Sequence, residues 1–226
     1  MFEEYSQPPL NAKAYEDGFY HFRGIEISCG SGAFVEVGDL DYFFNKIKYN
    51  ISPGDKKIIF DIGSGTGMLG IPMALEVPKS TIYGLEPNRK AFYWTAYNSY
   101  VYEKEIAKKE SIFHPIELSA SEAVRDMSDL KGTADVVMSS CAWVPLPKSL
   151  DFSNMPYGVD AVYAGEDGLD MIREVVSAAN FFLKPGGMLF MTTPVIMFDR
   201  VKPLLSELEW SEITQDSDDF LYTKKI

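Results

Sequence analysis

The stretch from Ile58 to Gly70, I-I-F-D-I-G-S-G-T-G-M-L-G, constrains this chain more than any other. Ile58 to Phe60 read as a buried strand and Asp61 ends it. Gly63, Gly65 and Gly67 then turn the backbone into an apolar helix beginning near Met68. A glycine-rich turn between strand and helix lets a ligand approach the main chain, because no Cβ stands in the way. Such a turn demands an α/β framework, and its acid narrows the ligand. A carboxylate at Asp61 repels a pyrophosphate and attracts an ammonium group.

From Lys57 onward strands and helices alternate. Strands are expected at Lys57–Asp61, Thr81–Glu86, Ser111–Ile116, Ala134–Ser139 and Met188–Thr193. Helices are expected at Met68–Glu76, Arg89–Glu103, Ser121–Met127, Gly168–Leu183 and Arg200–Leu208, and a terminal hairpin joins Trp210–Gln215 to Phe220–Lys224. This alternation predicts a mostly parallel sheet with helices on both faces and an antiparallel hairpin at its end. Pro185-Gly186-Gly187 is expected to separate the long helix from the strand that follows. Ligands on such sheets sit at the carboxyl ends of the strands.

The chain divides into an aromatic-rich N-terminal segment, residues 1–54, and a catalytic domain, 55–226. The first 50 residues hold 11 of the 31 aromatic residues. Those rings either cap a ligand or close one end of the core, and the second reading is preferred. A net charge of -12, with 21 basic and 33 acidic residues, argues against a nucleic-acid partner. The absence of a long apolar run argues against a membrane. Two cysteines, Cys29 and Cys141, give no disulfide framework, and a cytoplasmic location is expected. Neither of the two histidines has a partner at metal-ligand spacing, so no metal is expected.

The expected ligand is S-adenosylmethionine, which carries the ammonium that Asp61 would attract. Its site draws on Asp61, Gly63, Ser64, Gly65, Thr66 and Gly67. Glu86, 25 residues after Asp61, ends the next strand beside Pro87, where a carboxylate can accept hydrogen bonds from both ribose hydroxyls. Ser119 and Ala120, at the third strand end, are candidates to hold adenine, and Ser139 closes the list. Gly65, Gly67 and Gly70 also fit the dinucleotide fingerprint G-x-G-x-x-G, a weak signal alone.

These residues resemble the class I S-adenosylmethionine-dependent methyltransferases, on the loop Asp61–Gly67 and the strand end Leu85-Glu86-Pro87-Asn88. The resemblance implies a Rossmann-like, seven-stranded sheet. Ala164 to Arg173, followed by Leu183 to Gly187, is similar more narrowly to the glutamine side-chain amide methyltransferases that modify release factors. The order of Phe19-Tyr20 and Gly32 to Val35 upstream is similar too. That family carries N-P-P-Y at its fourth strand end. Here Ser140 stands for the Asn, Cys141 and Ala142 for the two prolines, and Trp143 for the Tyr. The family's P-R-P-E-T-E becomes Glu36 to Asp41, and its N-terminal helical domain has no room.

An amide nitrogen is a poor nucleophile, and the family's Asn carbonyl frees its lone pair. Ser140 offers no such planar acceptor. The expected activity is therefore methyl transfer to a small molecule or peptide rather than to a glutamine amide, with Ser140 and Trp143 as the candidate catalytic residues. A tryptophan can stack on an acceptor or face a sulfonium. The long loop from Ala142 to Ala164 reads as a lid. Two alternatives stand beside methyl transfer. One is a lyase or cyclase that needs no acceptor and forms azetidine-2-carboxylate and methylthioadenosine. The other is a cofactor-binding protein without catalysis.

Overall fold

The structure is a computed structural model, describing residues 18–30, 32–33, 40–145, 161–206, 210–211, 213–215 and 220–226. The strands are β1 (Gly18–Phe22), β2 (Ile25–Cys29), β3 (Lys57–Ile62), β4 (Ser80–Leu85), β5 (Ile112–Ile116), β6 (Ala134–Ser139), β7 (Leu183–Thr192), β8 (Thr214–Gln215) and β9 (Phe220–Lys224). The helices are α1 (Leu40–Asn50), α2 (Gly70–Glu76), α3 (Arg89–Ala107), α4 (Ala120–Asp126), α5 (Asp170–Phe182) and α6 (Phe198–Ser206). Seven strands form one sheet in the order β5-β4-β3-β6-β7-β9-β8. Strands β3 to β7 pair in parallel, while β9 runs antiparallel between β7 and β8. The expected α/β architecture and terminal hairpin are both present.

Alternation along the strands divides the interior. Ile59 joins the apolar cluster on one face with Met73, Ile82 and Phe113. Its neighbour Phe60 joins the cluster on the other face with Leu85, Ile172 and Phe182. Hence α2 lies on the first face and α4, α5 and α6 on the second. The chain leaves β3 toward β4 and β5, then returns to place β6 on the other side of β3. A crevice forms at the carboxyl ends of the strands at such a reversal.

Two elements lie outside the expected alternation. Strands β1 and β2 form a separate two-stranded hairpin. Its turn, Arg23-Gly24, has positive φ at both residues, 53° and 77°, the geometry of a tight two-residue hairpin turn. Helix α1 follows. Phe22, Phe43 and Phe44 are buried in the same cluster as Ile59 and Met73. These rings therefore close one end of the core, while Phe19 and Tyr49 remain exposed. Phe34 lies outside the described residues.

A difference also appears at β7. The strand begins at Leu183, immediately after α5, rather than at Met188. Ala134 pairs with Leu183 and Val136 with Met188, so Lys184 to Gly187 bulge out of register. Pro185-Gly186-Gly187 is an irregularity within the strand, not a gap before it.

Candidate functional site

Strand β3 delivers Asp61 to the crevice fully buried, 1% exposed. Its Oδ2 accepts hydrogen bonds from the Ser64 hydroxyl at 3.0 Å and the Gly70 amide at 3.1 Å. A Cβ at Gly70 would stand 2.8 Å from that oxygen and 2.4 Å from Phe113, so only glycine lets α2 start this close to the carboxylate. Burial pushes the Asp61 carboxyl up to about 7, against the two hydrogen bonds, which favour its charged form. Gly63 has a φ of 73° and open space where a Cβ would be, which leaves the main chain accessible from the cavity. Gly67 closes the turn by donating to the Ser64 carbonyl at 2.7 Å.

Glu86 follows β4 and is held toward the same loop. Its Oε2 accepts from the Gly65 amide at 2.8 Å and its Oε1 from the Asn88 amide at 2.8 Å. Asn88 in turn caps α3, its Oδ1 accepting from the amides of Lys90 and Ala91. From α3, Thr95 donates to the Gly65 carbonyl and Asn98 to the Thr66 carbonyl at 2.9 Å. Asn98 also exchanges two hydrogen bonds with the Ser28 backbone of β2. One amide thus ties the N-terminal hairpin to the glycine loop.

A cavity of about 910 Å³, counted with its open mouth, lies across these elements. Asp61, Gly63, Ser64, Gly65 and Thr66 line it, with Glu86 and Pro87 on the adjoining wall. Ser140, Cys141 and Ala142, which follow β6, also line it, with Met171 of α5. The lining therefore combines two carboxylates with small and apolar groups, while the amides of Gly63, Ser64, Gly65 and Gly67 are bonded within the fold.

Five residues expected at the site lie off this wall. Gly67 sits within the turn. Ser139 is fully buried and donates to the Ile62 carbonyl at 2.6 Å, tying β6 to β3. Ser119 caps α4 in a reciprocal capping box with Glu122, and Ala120 is the first residue of that helix. Trp143 packs against the cluster that holds Ile172 and Phe182. Beyond it, Val144 bridges Tyr163 in parallel, joining the two ends of residues 146–160. The expected lid falls mostly on that segment, outside the described residues. Ser140 approaches Thr192 at the end of β7, with 3.4 Å between hydroxyl oxygens.

Asn98, which holds the glycine loop, and Met171, which lines the cavity, were not among the expected site residues. Asn98 had a visible signal, being a polar side chain on the buried face of α3 alongside Ala91, Thr95 and Ile106. Met171 carries no comparable sequence signal.

Set against known proteins, the chain matches no family model. It is similar to the release factor glutamine methyltransferase of Streptomyces coelicolor, 28% identical over 179 residues, covering 75% of this chain and 58% of that protein. The fold matches that of the 16S rRNA N2 G1207 methyltransferase of T. thermophilus, solved with AdoMet and guanosine. That match has a TM-score of 0.57 and 17% identity over 97% of this chain and 52% of the other. The chain is thus similar in sequence to release factor glutamine methyltransferases and shares the fold of an S-adenosylmethionine-dependent methyltransferase. A further relative of this methyltransferase-like chain is the 4-amino-L-phenylalanine/4-methylamino-L-phenylalanine methyltransferase of Streptomyces pristinaespiralis. It is 25% identical over 140 residues, 59% of this chain and 42% of that protein. The chain spans less than two thirds of the length of either curated relative. Among the described residues, no helix is long and apolar enough to cross a membrane.

Proposed function

We propose that this chain binds S-adenosylmethionine across the carboxyl ends of β3 and β4 and directs its methyl group to an amine, phenolate or thiolate of a small molecule or peptide. The observation that carries this reading is a single cavity lined both by two buried carboxylates, Asp61 and Glu86, beside the glycine loop, and by Ser140, Cys141 and Ala142. The polar side fits the cofactor's chemistry. Asp61 offers an acceptor to an ammonium group, Glu86 offers one to ribose hydroxyls, and Gly63 leaves the main chain open. Ser119 remains a candidate for an adenine contact only if its hydroxyl exchanges its capping bond for a ligand, since Glu122 and Ser121 engage it.

When bound, the sulfonium supplies an activated methyl electrophile, so the protein's task is to hold a nucleophile in line about 3–3.5 Å from it. Ser140 and Ala142 shape the space where that nucleophile sits. The Ser140 hydroxyl, near Thr192, is a short and rotatable polar group. It can orient an amine or hydroxyl but cannot present the planar carbonyl that an amide nitrogen requires. A glutamine acceptor is therefore disfavoured even though relatives carry that name. A small-molecule acceptor is supported by the relative from Streptomyces pristinaespiralis, which is named for 4-amino-L-phenylalanine and 4-methylamino-L-phenylalanine.

The test is an incubation of purified protein with S-adenosylmethionine, with and without a panel of amine, phenol and thiol acceptors. The expected result is S-adenosylhomocysteine formed only when an acceptor is present. Methylthioadenosine accumulating without an acceptor would overturn methyl transfer in favour of cleavage of the cofactor itself. Tight binding with no turnover across the panel would overturn catalysis and leave a cofactor-binding protein.

A further inference from the structure

Asp61 is the one carboxylate on the cavity wall that is wholly enclosed, and its surroundings are uncharged. From its own loop and α2 it meets the Ser64 hydroxyl and the Gly70 amide. Its backbone pairs with Gly84 of β4 and Met138 of β6, and Phe113 of β5 packs over Gly70 and Gly84. None of these groups titrates. Elsewhere around the cavity, Glu86 and the Cys141 thiol share its wall, and the stem of Lys90 covers Gly32 at its edge. Among the described residues, no Lys or Arg lines the wall.

The two hydrogen bonds fall on one oxygen. Oδ2 receives both donors, so Oδ1 is the atom left to carry either a proton or the charge that a ligand neutralises. A buried carboxylate without a cation favours its neutral form, and the arrival of a cation reverses that preference. We propose that Asp61 holds a proton on Oδ1 in the free protein and releases it when a ligand brings an ammonium group into the cavity. Ligand binding is then coupled to proton release, and affinity depends on pH. This inference rests on the cofactor reading above and deepens it.

The direction is fixed by linkage. The ligand binds the ionised form, so affinity rises with pH and levels off above the free protein's titration point, about 7. Below that point the affinity falls by up to about tenfold per pH unit. Neutral ligands lacking the ammonium show no such dependence.

The experiment is calorimetric titration of the full chain with S-adenosylhomocysteine and, separately, with methylthioadenosine, which lacks the amino-acid part. Both are measured from pH 5.5 to 7.5 in two buffers of different ionisation enthalpy. S-adenosylhomocysteine is expected to release between half a proton and one proton near pH 6, and to bind about tenfold more weakly at pH 6 than at the plateau. Methylthioadenosine is expected to release none. Asp61→Asn should remove the pH dependence. Should that variant fail to fold, Ser64→Ala keeps the carboxyl but deletes one donor to its charged form, and should move the midpoint to higher pH. Equal proton release by both ligands, pH-independent S-adenosylhomocysteine binding, or an unmoved midpoint in Ser64→Ala would overturn the coupling. Binding of neither ligand would instead overturn the cofactor reading itself.

Discussion

The two ends of α2 are each held by a carboxylate, and the two carboxylates live under opposite conditions. At the start, Asp61 accepts from the Gly70 amide and lies buried with no cation beside it. At the end, Glu76 is gripped by Arg23 through two bonds, 2.8 and 2.9 Å, and by Lys48 at 2.7 Å. Arg23 also reaches Asp41 at 3.0 Å and lies over the Phe44 ring. The hydrogen bond from Arg23, ahead of the remaining causes, holds Glu76 below the usual carboxylate range, whereas burial lifts Asp61. A carboxylate that only joins elements is supplied with cations by the fold. A carboxylate facing a cavity without one is left for a ligand to complete. The contrast separates an acid already paired within the fold from one that the proposed ligand would pair, although both border the same helix.

The pH dependence of stability tests this contrast most severely. Asp61 is raised in the folded state, so the folded chain binds the extra proton between pH 3.8 and about 7. Its contribution is therefore lost as pH rises through that window, by up to about 4 kcal/mol. Denaturant melts of the free protein and of Asp61→Asn at pH 5 and pH 8 should show a gap that moves in the variant's favour at the higher pH. A constant gap would erase the distinction.

Next in size is the ligand itself. Asp61→Ala is expected to weaken S-adenosylmethionine binding by roughly ten- to a hundredfold, the worth of a hydrogen bond to a charged group. Calorimetry at pH 7.5 reads this directly, and unchanged affinity would show that the ammonium lies elsewhere.

At the other end of the helix the sign reverses. Glu76→Ala should cost about 1–2 kcal/mol at neutral pH, since its partners are only partly buried. Glu76 is lowered in the folded state, so its stabilisation is present above its ordinary pKa of about 4.3 and disappears as pH falls through the lower folded value. Thermal melts of wild type and variant should converge in acid, while cofactor affinity at pH 7.5 stays within about twofold.

The smallest effect sharpens the adenine question. Ser119→Ala removes the cap of α4 and should cost about 1 kcal/mol of stability with little change in cofactor affinity. A loss of affinity well beyond that would give Ser119 a ligand contact in addition to its cap.

The parallel half of the fold was legible because its strands are apolar runs, such as Ile58 to Phe60 and Val136 to Met138, separated by periodic helices. The polar wall of the cavity was legible for a related reason: Asp61 with its glycines and Glu86 stand at the ends of successive apolar strands. The N-terminal hairpin was not legible, although Gly18–Phe22 and Ile25–Cys29 are short strands around a two-residue turn. Its turn places an arginine at positive φ where Asn or Asp is the usual signal. The off-wall positions of Ser139 and Trp143 depend on which way each residue at the end of β6 faces. Motif alignment fixes position along a chain but not orientation about it. Ser119 is a hydroxyl at a strand end, yet Glu122 three residues later marks it equally as a helix cap.

The bracket made by Asn98 bears on where this protein can be cut. Its amide satisfies the Ser28 backbone of β2 and the Thr66 carbonyl of the glycine loop together. A fragment starting at Lys57 would keep every strand of the large sheet and still strip that amide of its partners in β2. It would also uncover the apolar surface now closed by Phe22, Ile27 and Phe44. The smallest piece able to hold the loop in this shape therefore begins at the hairpin, some forty residues before the first strand of the sheet that displays it.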